Sequence, residues 1–197
     1  MCPASSYPDH TMGIFAVDLK PAVGAIFFSC AAAFAASADE VSLDSLFQNL
    51  KSAEKSEAQK AAREIELEWS KSGSASANLL FKRGEKALDD ENPSEAVEHF
   101  TALTDHAPEF SEGWHGRARA FFMLGEYGLA LNDLKPTLAL NPRHFDAIYG
   151  LAAILEQIKK PEEAYDAYKI LLDIYPAHEK ALEAITRLER SVNGTNL

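Results

Sequence analysis

The sequence predicts an all-α protein built from three consecutive helical hairpins, stacked into a superhelix with further helices at both flanks. Three observations predict it. Pro108, Pro142 and Pro176 recur at a constant spacing of 34 residues. Blocks aligned on them, Ala77 to Pro108, Ser111 to Pro142 and Phe145 to Pro176, repeat the same large and small residues in register. Each block also reads as two amphipathic helices around a short turn, at Glu91-Asn92-Pro93, Gly125-Glu126 and Lys159-Lys160-Pro161.

The register has a physical meaning at each position. The fourth residue of a block is large and apolar (Leu80, Trp114, Ile148) and the eighth is small (Gly84, Ala118, Ala152). The twentieth is always alanine (Ala96, Ala130, Ala164), and the twenty-fourth is Phe100, Leu134 or Tyr168. Small residues let the two helices of a hairpin approach closely while large ones fill the flanking space. The closing proline cannot continue a helix and turns the chain into the next block. Pro136 falls inside the second helix of the middle block, where it removes the bond to Asn132 and predicts a kink; Thr137 stands where a larger apolar residue is usual.

The flanks follow the same logic. Residues 177–197 contain HEKALEAITRLER, His178 to Arg190, with Ala181, Leu182, Ile185 and Leu188 on one helical face, a capping helix for the stack. Residues 39–76 predict two helices, with Leu43, Leu46, Phe47 and Leu50, then Ala58, Ala62, Ile65 and Trp69. Continuing the register backwards makes this segment a degenerate repeat ahead of the first, joined to it by a weak Ser70 to Ser76 link. Residues 1–38 read as an address. Lys20, the uncharged run Ala22 to Ala36 and the small residues Ala36-Ser37-Ala38 form a secretory signal pattern, with cleavage after Ala38 and Met12 an alternative start. The run is short for a membrane span, so membrane contact is expected only through a transient signal. Phe27-Phe28-Ser29-Cys30 resembles a lipobox, with two Phe replacing the usual residues, and a lipid-anchored form is the alternative.

The period, the small positions and the prolines, coinciding three times, resemble the tetratricopeptide repeat family. The resemblance covers about half the chain and implies a right-handed α-α superhelix whose concave face is lined by the first helix of each hairpin. Two departures stand out, Arg83 and Arg117, at a seventh position that is usually Leu. The family's groove positions here include Asn78, Phe81, Glu85, His115, Arg119, Phe122, Tyr149 and Glu156, a mixture suited to a protein or peptide partner. The same aromatics fit packing between helices equally well. Some members grip a C-terminal carboxylate with Lys and Asn; the equivalent positions here hold Phe81, Glu85, Gly116, Asp146 and Gly150, so that activity is not implied. The signal and the LNPRHFDA stretch (Leu140 to Ala147) resemble exported members of alphaproteobacteria. They imply a periplasmic scaffold in cell-envelope maintenance or, alternatively, an accessory factor of outer-membrane assembly, secretion or cytochrome maturation.

Composition narrows the remaining classes. The 197-residue chain is 47% hydrophobic and carries a net charge of −11, which disfavours nucleic acid and anionic lipid. Both cysteines, Cys2 and Cys30, lie in the signal segment, so the mature chain is expected to hold no disulfide or thiolate metal site. None of the six histidines stands in a metal-binding spacing, and His106 and His144 are read as favourable charges at the ends of second helices. No catalytic motif, phosphate loop or cofactor signature is found, so no enzyme, metal, cofactor or small-molecule substrate is expected. A monomer or weak dimer follows. Asn193-Gly194-Thr195 forms a glycosylation sequon, relevant only in a eukaryotic host.

Overall fold

The computed structural model describes residues 42–52 and 54–194. The chain divides between Ala38 and Asp39 into two units, and all described residues belong to the second. The signal segment, Met12 and Cys30 lie outside them. Among the described residues there are nine helices and no strand. They are α1 (Leu43–Ser52), α2 (Lys55–Trp69), α3 (Ala75–Asp89), α4 (Pro93–His106), α5 (Ser111–Met123), α6 (Tyr127–Leu140), α7 (Phe145–Gln157), α8 (Pro161–Ile174) and α9 (Glu179–Gly194). None of the described helices is long and apolar enough to cross a membrane.

Helices α3–α4, α5–α6 and α7–α8 are the three hairpins. All three turns have one geometry. Glu91, Gly125 and Lys159, each 34 residues from the next, have φ of 56°, 76° and 63°. In each turn the next residue's N–H reaches back to close the preceding helix: Asn92 to the Ala87 carbonyl, Glu126 to Phe121, and Lys160 to Leu155. This is the glycine-type helix stop, although only the middle turn uses glycine.

Close approach happens where the register places small residues. Ala96, Ala130 and Ala164 are fully buried. The Phe100 ring is clamped between two glycines of neighbouring first helices. A Cβ at Gly84 would lie 2.6 Å from the ring, and one at Gly116 closer still. Arg117, at an otherwise apolar position, is explained by its partners. Its guanidinium makes two parallel bonds to Asp133 at 2.7 and 2.8 Å and donates to Thr101 and Thr104. A buried pair holds only when its hydrogen bonds are filled in this way. Helix α6 runs unbroken through Pro136. Fully buried Thr137 donates its hydroxyl to the Asp133 carbonyl at 2.8 Å, so it satisfies its polar group where an apolar residue would need none.

The capping helix differs from its sequence reading in one residue. Ala181, Ala184 and Leu188 face inward, whereas Leu182 is 46% exposed. The larger difference is at the other end. The α1–α2 hairpin forms, but it does not stack ahead of α3, and none of its residues joins the core around α3 and α4. It packs instead on the third hairpin and α9, where Leu46, Phe47, Leu50, Ala58, Ala62 and Ile65 share one core with Phe145, Tyr168, Leu171, Tyr175 and Ala181. Polar contacts mark the seam: Arg143 to Asp44 at 2.9 Å, with the Arg143 guanidinium 4.0 Å over the Phe47 ring, and Lys55 and Gln59 to Glu179.

Candidate functional site

The first helices of the hairpins, α3, α5 and α7, form one wall, and the register decides which side chains face out of it. A groove of about 630 Å³ opens along this wall. Its floor is apolar, from Phe122, Met123, Leu134 and Ile154, and Phe122 and Met123 are 37% and 48% exposed. Five of the eight sequence-derived groove residues line it: Glu85, His115, Arg119, Phe122 and Tyr149. Three do not. Asn78 accepts from the Ser72 amide and hydroxyl and closes the link before α3. Phe81 packs on Phe100 and Phe110, so it is a core aromatic of the first hairpin. Glu156 accepts from the Tyr168 hydroxyl and from Arg187, tying α7 to α8 and α9.

The charges in the groove are mostly acidic. Arg119 donates to both Glu85 carboxylate oxygens, at 2.8 and 2.9 Å, and is thereby neutralised. Glu66 enters from α2 and Asp146 from the first turn of α7. Desolvation beside the groove and the neighbouring Asp146 carboxylate push the Glu66 carboxyl up to about 7, although its outer atoms still reach solvent. Sequence reasoning missed Glu66 because the register placed α2 elsewhere. Glu66, Asp146 and Tyr149 also line a second recess of about 340 Å³, which continues between α2 and the start of α9.

Behind the groove lies a buried polar network of Glu112, His115 and His144. His144 is the N-cap of α7, with Nδ1 accepting from the Ala147 amide at 3.3 Å, rather than a charge at the end of α6. His178 caps α9 in the same way, 34 residues on. With Nδ1 accepting, the proton sits on Nε2, which donates to Glu112 at 3.0 Å. His115 Nδ1 lies 3.6 Å from the other Glu112 oxygen. Burial would raise the Glu112 carboxyl, but the two imidazoles facing it, His144 hydrogen-bonded and His115 close by, outweigh burial and hold it well below the carboxylate range. Burial holds His115 below its usual value, hence neutral at pH 7. Trp69 of α2 closes the network from outside, with its ring 4.4 Å from His144 and 4.9 Å from Phe145.

These three side chains are the group among the described residues whose donors, all within 4.8 Å of one another, could surround a metal ion. The capping bond argues against it. Coordination through His144 Nε2 would remove its proton while Nδ1 still faced an amide N–H, which leaves no neutral tautomer that satisfies both. The arrangement is a network that fixes the start of α7.

Comparison with known proteins places the fold. The model of the tetratricopeptide repeat family matches residues 81–134 and 117–179. A TPR repeat-containing protein of Rhizobium etli is 35% identical over 161 residues, 81% of this chain and 79% of that protein. The chain belongs to the tetratricopeptide repeat family. It is a protein-binding repeat scaffold. Small glutamine-rich tetratricopeptide repeat-containing protein 2 of Saccharomyces cerevisiae is 28% identical over 130 residues, and the chain spans only 38% of its length. Among solved structures, the first TPR of Spaghetti (RPAP3), bound to HSP90 peptide SRMEEVD, superposes with a TM-score of 0.59 at 25% identity, covering 61% of this chain and 95% of that one. MamA superposes with a TM-score of 0.57 at 24% identity, covering 60% and 68%.

Proposed function

We propose that this tetratricopeptide repeat chain is an exported adaptor of the cell envelope, which holds a segment of a protein partner in the groove between α3, α5 and α7. The observation that carries the reading is the groove's apolar floor, open at Phe122 and Met123. A similar fold is seen with a peptide bound in the structure of Spaghetti (RPAP3). Burying exposed aromatic and thioether side chains is the usual source of binding free energy at such a surface. Export rests on the Lys20 to Ala38 sequence pattern. The adaptor acts as a monomer or weak dimer in the periplasm.

Two measurements test this. Partners cross-linked in the envelope fraction by the wild-type chain should be lost with Phe122→Ala/Tyr149→Ala at unchanged fold; equal recovery by both sinks the groove assignment. Mass spectrometry of the mature chain should find Asp39 at the N-terminus. An intact Met1 or Met12 refutes export, and a lipidated Cys30 replaces soluble export with a membrane anchor.

A further inference from the structure

The partner's chemistry can be read from the groove, given the proposed adaptor function on which the inference rests. We infer that the groove takes a cationic–apolar segment of a protein, its apolar side chain on Phe122 and Met123 and a Lys or Arg between Glu66 and Asp146 beside Tyr149. Charge complementarity carries the inference. Three carboxylates line the groove, and the one cation among its lining residues, Arg119, is committed to Glu85. Glu66 and Asp146 make no ion pair among the described residues; Arg63 and Lys180, in the adjoining recess, offset their mutual repulsion only in part, and an arriving cation would relieve the rest. Tyr149 lines the groove with them, and its ring already has a cation, Lys180, 6.0 Å from its centre. The raised Glu66 carboxyl fits the same picture, since an adjacent cation would restore its charge.

The α1–α2 hairpin makes this groove different from a bare stack of repeats. It brings Glu66 to the wall, so that Glu66 and Asp146 line both the groove and the adjoining recess. In an acidic segment such as SRMEEVD, the three side-chain carboxylates would meet the like charges of Glu66 and Asp146.

The test uses the mature chain and fluorescein-labelled amphipathic peptides of one leucine pattern, carrying Lys, Gln or Glu at the polar positions, with SRMEEVD as a fourth probe. Anisotropy titration should find the Lys peptide bound about tenfold tighter than the Gln peptide, the size of one well-placed charge contact. The Glu peptide and SRMEEVD should bind more weakly still. Glu66→Lys, a change at a solvent-reaching position, should erase the Lys preference, and Glu66→Gln should halve it on a logarithmic scale; circular dichroism confirms that both fold. Equal binding of Lys and Gln peptides, tighter binding of SRMEEVD, or no binding of any peptide overturns the charge assignment. If the peptides bind without charge preference and Phe122→Ala/Tyr149→Ala abolishes it, the adaptor groove stands and only its cationic partner falls. If Phe122→Ala/Tyr149→Ala leaves binding intact, the groove itself falls.

Discussion

The first and third hairpins carry one register in two surroundings. Around α3 and α4 the core is small, drawn from those two helices, Phe110 and Ala120 of α5, with Leu79 left 50% exposed. Around α7 and α8 the core is continuous with α9 on one side and with α1 and α2 on another. The hairpin pattern therefore sets which residues meet inside a repeat, while the neighbours set how much surface that repeat buries. In a nearest-neighbour stack, stability follows the second quantity. Amides of α7 and α8 should exchange more slowly than those of α3 and α4.

The sharpest way to break the comparison is Phe100→Ala. It empties the ring held by Gly84 and Gly116 and should cost about 3–5 kcal/mol, with hydrogen exchange collapsing across α3 to α5 while α7 to α9 stay protected. Trp69→Ala attacks the other end. It removes the half-buried lid on His144 and Phe145 and should cost about 3 kcal/mol, freeing α1 and α2 and leaving the α3 and α4 amides unchanged. Gly116→Ala should cost about 1–3 kcal/mol by driving a Cβ into the Phe100 ring, and adding Phe100→Leu should recover part of the midpoint in chemical denaturation.

Two smaller effects refine the picture. Glu91→Gly and Lys159→Gly, at turns whose φ is positive, should each raise stability by about 0.5–1 kcal/mol, whereas Gly125→Ala should lower it. The last is a pH effect. The Glu66 carboxyl is raised in the folded chain, so its contribution is full below the ordinary value of 4.5 and fades as pH rises through about 7. Thermal midpoints of Glu66→Gln should lack that decline. Glu112 works in the opposite sense: its depressed carboxyl supports the fold above 4.5 and is lost as the solution is acidified.

The repeats were legible because their signal is local and periodic. Phe100, Ala130 and Ala164 announce a helical pair through spacing alone, whatever lies around them. Glu85, His115, Arg119, Phe122 and Tyr149 follow from the same register, since outward direction on a helix is fixed by position. What failed depends on distance along the chain. Nothing in the spacing of Leu46 or Trp69 says which apolar face will receive them, and the backward register pointed to α3 whereas the face that receives them holds Phe145 and Tyr175. Glu66 was lost with them. Phe81 and Glu156 were misplaced for another reason, because an aromatic or a carboxylate can satisfy itself inside a helix bundle as well as outside it.

The seam between the first hairpin and the third repeat has a temporal side. Asp44 meets Arg143 across 99 residues, and Gln59 meets Glu179 across 120, in a molecule whose other contacts are mostly between neighbours. Because synthesis runs from the N-terminus, α1 and α2 carry Leu46, Phe47 and Ile65 without cover until α7 to α9 follow. Docking of α1 and α2 onto α7 to α9 therefore joins the two ends of the described helices, and it brings Glu66 to the groove in the same step.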